Sequence, residues 1–149
     1  MKTEIIALAS DHGGFKLKKM LNDLLQLDNF KTLDLGTHSS SAADYPDYGH
    51  LMAKVLNEKQ ASLGILICGS GIGMSIAANR FAGIRAALVH DTLGARLSRE
   101  HNDANVLCLG ERVLGIATAK ECLNIFLNTK FQGGRHKTRI NKIHTGSEP

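Results

Sequence analysis

The feature that most constrains the fold is a set of short apolar runs separated by longer amphipathic segments. Glu4 to Ala9, Lys31 to Leu35, Leu63 to Cys68, Ile84 to Val89 and Asn105 to Leu109 read as strands. The first, third and fourth are apolar almost throughout, as strands covered on both faces are. Between the first two, Phe15 to Leu27 sets Phe15, Leu17, Met20, Leu21, Leu24 and Leu25 on one helical face, with Lys16, Lys18, Lys19 and Asp23 outside. Pro46 is placed to open a helix after Asp44 and Tyr45 that runs to Asn57. Ile72 to Phe81, Leu93 to Glu100 and Leu114 to Leu127 fit further helices. The alternation predicts a three-layer α/β/α sandwich, with a Rossmann-like five-stranded parallel sheet. A last helical pattern, Gly134 to His144, has no strand after it and makes a C-terminal helical arm. No repeat or linker divides the chain, so residues 1–149 are expected to form one domain, with 130–149 as a basic arm.

With 149 residues, an ordinary core suffices without a metal or disulfide staple. The longest nearly uncharged stretch, Gly64 to Ala78, is broken by glycine and serine and falls short of the ~20 apolar residues of a membrane span. Met1 to Ser10 lacks the apolar region and cleavage site of a signal peptide, which points to the cytoplasm. Cys68, Cys108 and Cys122 are odd in number and lack CxxC spacing, so reduced thiols are expected and neither a disulfide framework nor a zinc site. The net charge of +4 sits wholly in the arm: Lys130, Arg135, Lys137, Arg139 and Lys142 stand against Glu148 alone. Such a segment seeks an anion. Nucleic acid would bring stacking aromatics or a wider basic face, and Phe131 is the only aromatic there. A small phosphorylated metabolite is the favoured reading.

In open α/β sheets, ligands gather beyond the carboxyl ends of the strands. The strongest signal at that edge is Cys68-Gly69-Ser70-Gly71-Ile72-Gly73. Its alternating glycines let the backbone approach a ligand and aim N–H groups at it as a helix begins. The spacing is neither a Walker loop nor the dinucleotide fingerprint, and the alternative is a tight strand-to-helix turn. Cys68 faces the positive end of that helix, where a thiolate could act as a base; the alternative is a small buried hydrophobe. Cys108 and Cys122 fall on core-facing positions. Asp11 and His12 follow the first strand at the same edge and could pass protons or grip an anion, or else be a helix cap beside a surface histidine. His38, His50, His90 and His144 read as ordinary surface or loop histidines.

His101-Asn102-Asp103 poses a geometric problem. It precedes the fifth strand and so lies at the amino edge of the sheet, about 17 Å from the glycine cradle. If His101 is functional, a second subunit must bring it to the site, which predicts a symmetric dimer with shared sites. Arg135 and Arg139, four apart on one helical face, suit a phosphate; a solvated basic helix is the alternative.

Taken together, Asp11-His12-Gly13-Gly14, Asp44-Tyr45-Pro46, Cys68-Gly69-Ser70-Gly71-Ile72-Gly73 with Ala77-Ala78-Asn79, Gly83-Ile84-Arg85-Ala86, Ser98-Arg99-Glu100-His101-Asn102-Asp103-Ala104-Asn105 and Gly133-Gly134-Arg135-His136 resemble the ribose-5-phosphate isomerase B family. That family also includes isomerases of galactose 6-phosphate and allose 6-phosphate. The resemblance spans residues 3 to 144. It implies an aldose-ketose isomerase that interconverts ribose 5-phosphate and ribulose 5-phosphate through a cis-enediolate, without metal or organic cofactor, in the pentose phosphate pathway. It further implies Cys68 as the base, since the branch with glycine at this position carries glutamate where this chain has Met74. Ser70 would shuttle protons between the two oxygens, and the amides of Gly69, Gly71 and Gly73, with Asn102, would hold the enediolate. His101 would open the sugar ring with Asp11 on the hydroxyl side, and Tyr45 would flank the sugar. His12, Arg135 and Arg139 would hold the phosphate, with His101, Asn102 and Arg112 coming from the partner of a homodimer that could pair into tetramers. A hexose 6-phosphate isomerase and a non-catalytic sugar-phosphate or nucleotide sensor are the alternatives.

Overall fold

The computed structural model describes residues 4–146. Its strands are β1 (Ile5–Ser10), β2 (Lys31–Asp34), β3 (Leu63–Cys68), β4 (Ala86–Leu88) and β5 (Val106–Gly110). Its helices are α1 (Phe15–Leu27), α2 (Tyr45–Asn57), α3 (Ile72–Asn79), α4 (Thr92–Glu100), α5 (Ile116–Asn128) and α6 (Arg135–Thr145), with a 3-10 turn at His12–Gly14 before α1. The expected bounds of β3 and α1 are reproduced. β4 is shorter than the apolar run Ile84 to Val89 because it is an edge strand, paired only with β5.

All five strands are parallel, in the order β2-β1-β3-β5-β4. After β1 the chain turns to one side of the sheet, and after β3 to the other. The two carboxyl ends therefore part at the centre, where such sheets open a ligand crevice. Strand alternation splits the core into two layers. Ile6, Leu8, Ile65, Ile67, Leu107 and Leu109 pack with Leu17, Leu21 and Leu25 of α1 and Cys122, Leu123 and Phe126 of α5. Ala7, Ala9, Leu66, Cys68 and Cys108 pack with Met52 and Ala53 of α2 and Met74 and Ala78 of α3. Each large side chain so buried contributes about 1.5–3 kcal/mol.

Lys18 departs from its expected place outside. It is 1% exposed, with its ammonium 2.6 Å from an Asp34 carboxylate oxygen and donating to the Thr37 carbonyl at 2.7 Å. Helical periodicity sorts residues by apolarity and cannot see that the end of β2 supplies a countercharge, without which a buried ammonium is not tolerated. In α6 only His136 and Ile140 are buried.

Candidate active site

The carboxyl ends of β1, β3 and β5 lie side by side and are stitched by backbone hydrogen bonds: Asp11 N to the Ile67 carbonyl, Glu111 N to that of Cys68, and Arg112 N to that of Gly69. Beyond them lies an open cleft of about 570 Å³ lined by Asp11, Tyr45, Cys68, Gly69, Ser70, Ile72, Gly73, Ile76, Arg112 and Val113. Gly71 caps α3 at φ +78, where a Cβ would sit 2.7 Å from Leu88 Cδ1 and 2.9 Å from the Leu109 carbonyl carbon. Only glycine serves there. At Gly73 a Cβ would come 2.6 Å from the Tyr45 ring, so the missing side chain is what admits that ring onto the first turn of α3.

Cys68 is 5% exposed. It packs on the apolar layer beneath the sheet and also lines the cleft, and its sulfur accepts the Gly71 N–H at 3.1 Å. Both expectations for this residue, a packed hydrophobe and a thiol at the cradle, thus meet in one side chain. The other cysteines belong to the core alone. Burial above all pushes the Cys108 thiol up, and neighbouring Cys68 adds to it. Burial likewise raises Cys122, helped by Asp91 and Glu121.

The Ser70 hydroxyl accepts the Ile72 N–H at 3.2 Å at the cleft wall. Asp11 lines the cleft and also caps the turn after β1, its Oδ1 accepting the Gly14 N–H at 3.1 Å. His12 is exposed and its Nδ1 accepts the Ala43 N–H at 3.1 Å, which points it toward the loop before α2 rather than into the cleft. Sequence reasoning missed Glu111, whose Oε1 accepts the Leu17 N–H of α1 at 2.5 Å. A carboxylate beside a helix N-terminus satisfies amides that have no acceptor within the helix. An acidic residue directly after a strand at the ligand edge was the available signal. Glu111 anchors the loop that carries Arg112, and Arg112 lies over Gly69 of its own chain. This corrects the expectation that Arg112 comes from a partner: β5 ends at the same edge as β3, and its loop pairs with the cradle directly.

His101 and Asn102 lie at the other edge, as their place before β5 requires, and line no part of this cleft. The His101 ring stacks on His136 with centroids 4.3 Å apart and planes 10° from parallel. His136 is held below the ordinary imidazole value by burial first, then by His101, Arg135 and Arg139. The arm doubles back onto this edge: Gln132 N donates to the Glu100 carbonyl, and His144 meets Arg85 at 3.1 Å. Arg135 and Arg139 therefore keep company with His101, not with the Cys68 cleft, where the expectation grouped them with His12. Asn102 is exposed beside a smaller pocket that it shares with Asn79, Arg85 and Ile143. The Cys68 cleft and the basic cluster around His101 thus lie apart, at opposite ends of the strands. Among the described residues no cluster of His, Cys, Asp and Glu side chains is placed to hold a metal ion.

A model of the Ribose/Galactose Isomerase family matches residues 6–143. The chain belongs to this family. The isomerase is 44% identical to ribose-5-phosphate isomerase B of Escherichia coli, over 93% of each chain. A Bacillus subtilis relative, named as a sugar phosphate isomerase, is 48% identical over 93% of each chain. Among solved structures, ribose-5-phosphate isomerase B of Clostridium thermocellum superposes with a TM-score of 0.94 at 47% identity over 95% of each chain. The Mycoplasma genitalium enzyme, solved with bound ribulose-5-phosphate, gives 0.92 at 41% identity over 98% of this chain and 97% of its own.

Proposed function

We propose that this isomerase interconverts D-ribose 5-phosphate and D-ribulose 5-phosphate through a cis-enediolate, with Cys68 as the base. The observation that carries the reading is a thiol at the floor of an open cleft, bonded to the amide that caps α3 and bordered by a hydroxyl and an arginine. The names of the relatives and the sugar phosphate held by the Mycoplasma enzyme support the substrate.

The chemistry follows from placement. In the open-chain aldose the thiolate takes the proton from C2, the electron pair forms the C1–C2 double bond, and O1 becomes anionic. Ser70 relays the O2 proton to O1. O2 then collapses to the carbonyl while the thiol returns its proton to C1, giving the ketose. Gly71 N–H is engaged by the sulfur and Ile72 N–H by the Ser70 hydroxyl, while the first-turn amide of Gly73, without an acceptor inside α3, is open to an enediolate oxygen. Such preorganised donors are each worth about 3 kcal/mol of barrier. Arg112 lies over the cradle and Tyr45 flanks the sugar. Asp11 serves the hydroxyl side and His101 donates to the ring oxygen as the furanose opens.

One chain cannot join its own half-sites, which sit at opposite edges of the same sheet. We infer a homodimer in which His101, Asn102, Arg135 and Arg139 of each copy complete the cleft of the other. Ile72 (51% exposed), Ile76 (60%) and Val113 (54%) around the cleft, with Ile143 (62%) on the arm, are apolar surface that a second copy would cover. The unpaired thiols suit a reducing compartment, the cytoplasm.

A coupled assay with ribose 5-phosphate in the presence of a chelator tests the reading: turnover should persist. Side-by-side kcat/KM values for ribose 5-phosphate, allose 6-phosphate and galactose 6-phosphate should rank the pentose first; preference for a hexose would replace the substrate while leaving the proton chemistry.

A further inference from the structure

We propose that Arg85 is a positioning residue for the His101–Asn102 turn. The inference rests on the ring-opening role given to His101 above. Arg85 stands outside the chemistry described so far, yet its whole side chain is engaged by that turn and by the arm. Its Nε donates to the carbonyls of Asn102 at 3.2 Å and Asp103 at 2.9 Å, and its Nη2 donates to Asp103 Oδ2 at 3.3 Å. Its Nη1 reaches His144 Nε2 of α6 at 3.1 Å. The backbone beneath is fixed as well, because Arg85 N donates to Asn105 Oδ1 at 2.8 Å and its carbonyl accepts from Asn105 N at 3.0 Å.

Arg99 holds the same carboxylate from the other side, its Nη1 donating to Asp103 Oδ1 at 3.1 Å. The turn needs such a clamp, since Asp103 adopts φ +43, a left-handed conformation that side chains other than glycine take up only at a cost. Only a guanidinium fork can serve two carbonyls, a carboxylate and an imidazole together; a lysine ammonium in its place would leave part of the set unmet. Arg85 contributes nothing to the lining of the Cys68 cleft and is not part of the His101–His136 stack. Its influence on the reaction runs through the turn, which sets where the His101 ring points.

Two readouts separate ring opening from proton transfer. Net conversion of ribose 5-phosphate begins from a closed furanose. Exchange of the C1 proton of ribulose 5-phosphate in deuterated water begins from an open chain, because its 5-hydroxyl is esterified and cannot close a ring. In the full-length enzyme, Arg85→Lys should lower kcat for net conversion about tenfold, since small misplacements of a positioned group carry losses of that order. Exchange should stay within about twofold, and the loss should largely vanish when His101→Asn is already present, as expected for residues acting through one another. Asp103→Asn, which cuts the clamp from its other end with a residue that tolerates positive φ, should give the same pattern even if Arg85→Lys folds poorly. A further tenfold loss on top of His101→Asn, or an equal fall in exchange, overturns the positioning role while ring opening by His101 stands. Equal loss of both readouts in His101→Asn alone overturns the ring-opening reading, and the role of Arg85 with it.

Discussion

The two edges of the sheet are built by different means. At the carboxyl edge the cleft is made of backbone: strand ends stitched to one another, a left-handed glycine, and the first turn of a helix. At the amino edge the His101 turn is made of side chains: an arginine pair on Asp103, two stacked imidazoles, and the helix α6, which buries only His136 and Ile140. Backbone geometry is preorganised by folding itself and suits charge that develops on an oxygen. Long side chains, which can reach and adjust, suit a phosphate or a ring oxygen.

The largest expected effect belongs to the backbone-built edge. Cys68→Ala should lower kcat by about 10³-fold, in the range of a lost general base, while the melting temperature falls by only a few degrees for the lost packing and Gly71 hydrogen bond; turnover near the parent rate removes the base. Mixing inactive Cys68→Ala with His101→Asn, whose net conversion is strongly lowered but measurable, comes next. If sites are shared across a symmetric dimer, equal amounts should regain about a quarter of the parent activity, because half of the dimers are mixed and each of these holds one intact site. No regain after subunit exchange would show the two edges never meet.

The same contrast extends to stability. Gly71→Ala should cost about 1–3 kcal/mol in denaturant unfolding, because φ +78 and contacts below 3 Å both oppose a Cβ. Lys18→Met should cost about 2 kcal/mol, less than a fully buried pair, since Asp34 keeps a third of its side chain in water. The smallest effect is a pH dependence at the other edge. The folded chain holds His136 below the ordinary imidazole value, so the unfolded chain takes up a proton that the folded one resists. Stability should hold above about pH 6.5 and decline as pH falls from there toward the folded value. His136→Phe should flatten that decline, and an unchanged slope would assign it to another group.

Much of this was legible in the residue pattern. The apolar runs gave the parallel sheet because strands covered on both faces leave no alternation to misread, and the order of strands and helices followed. The carboxyl edge was legible because Cys68, Ser70 and Asp11 reach the cleft through the chain's own direction. What escaped is made by contacts between distant residues. The burial of Lys18 depends on Asp34, the cap by Glu111 on Leu17, and the stack of His136 on His101. The same cause misplaced Arg112, since which loops pair beyond β3 and β5 is a matter of neighbouring strands and not of spacing.

The sheet order has a consequence for synthesis. β5 is the last strand to be made, yet it sits between β3 and β4, and β4 bonds to no other strand. A chain growing from the ribosome therefore holds at most the β2-β1-β3 part of its sheet until Val106–Gly110 emerges, with the strand bearing Cys68 at an open border. During that interval one border of β3 has no strand beside it, and the arrival of one late strand completes the sheet under the glycine cradle.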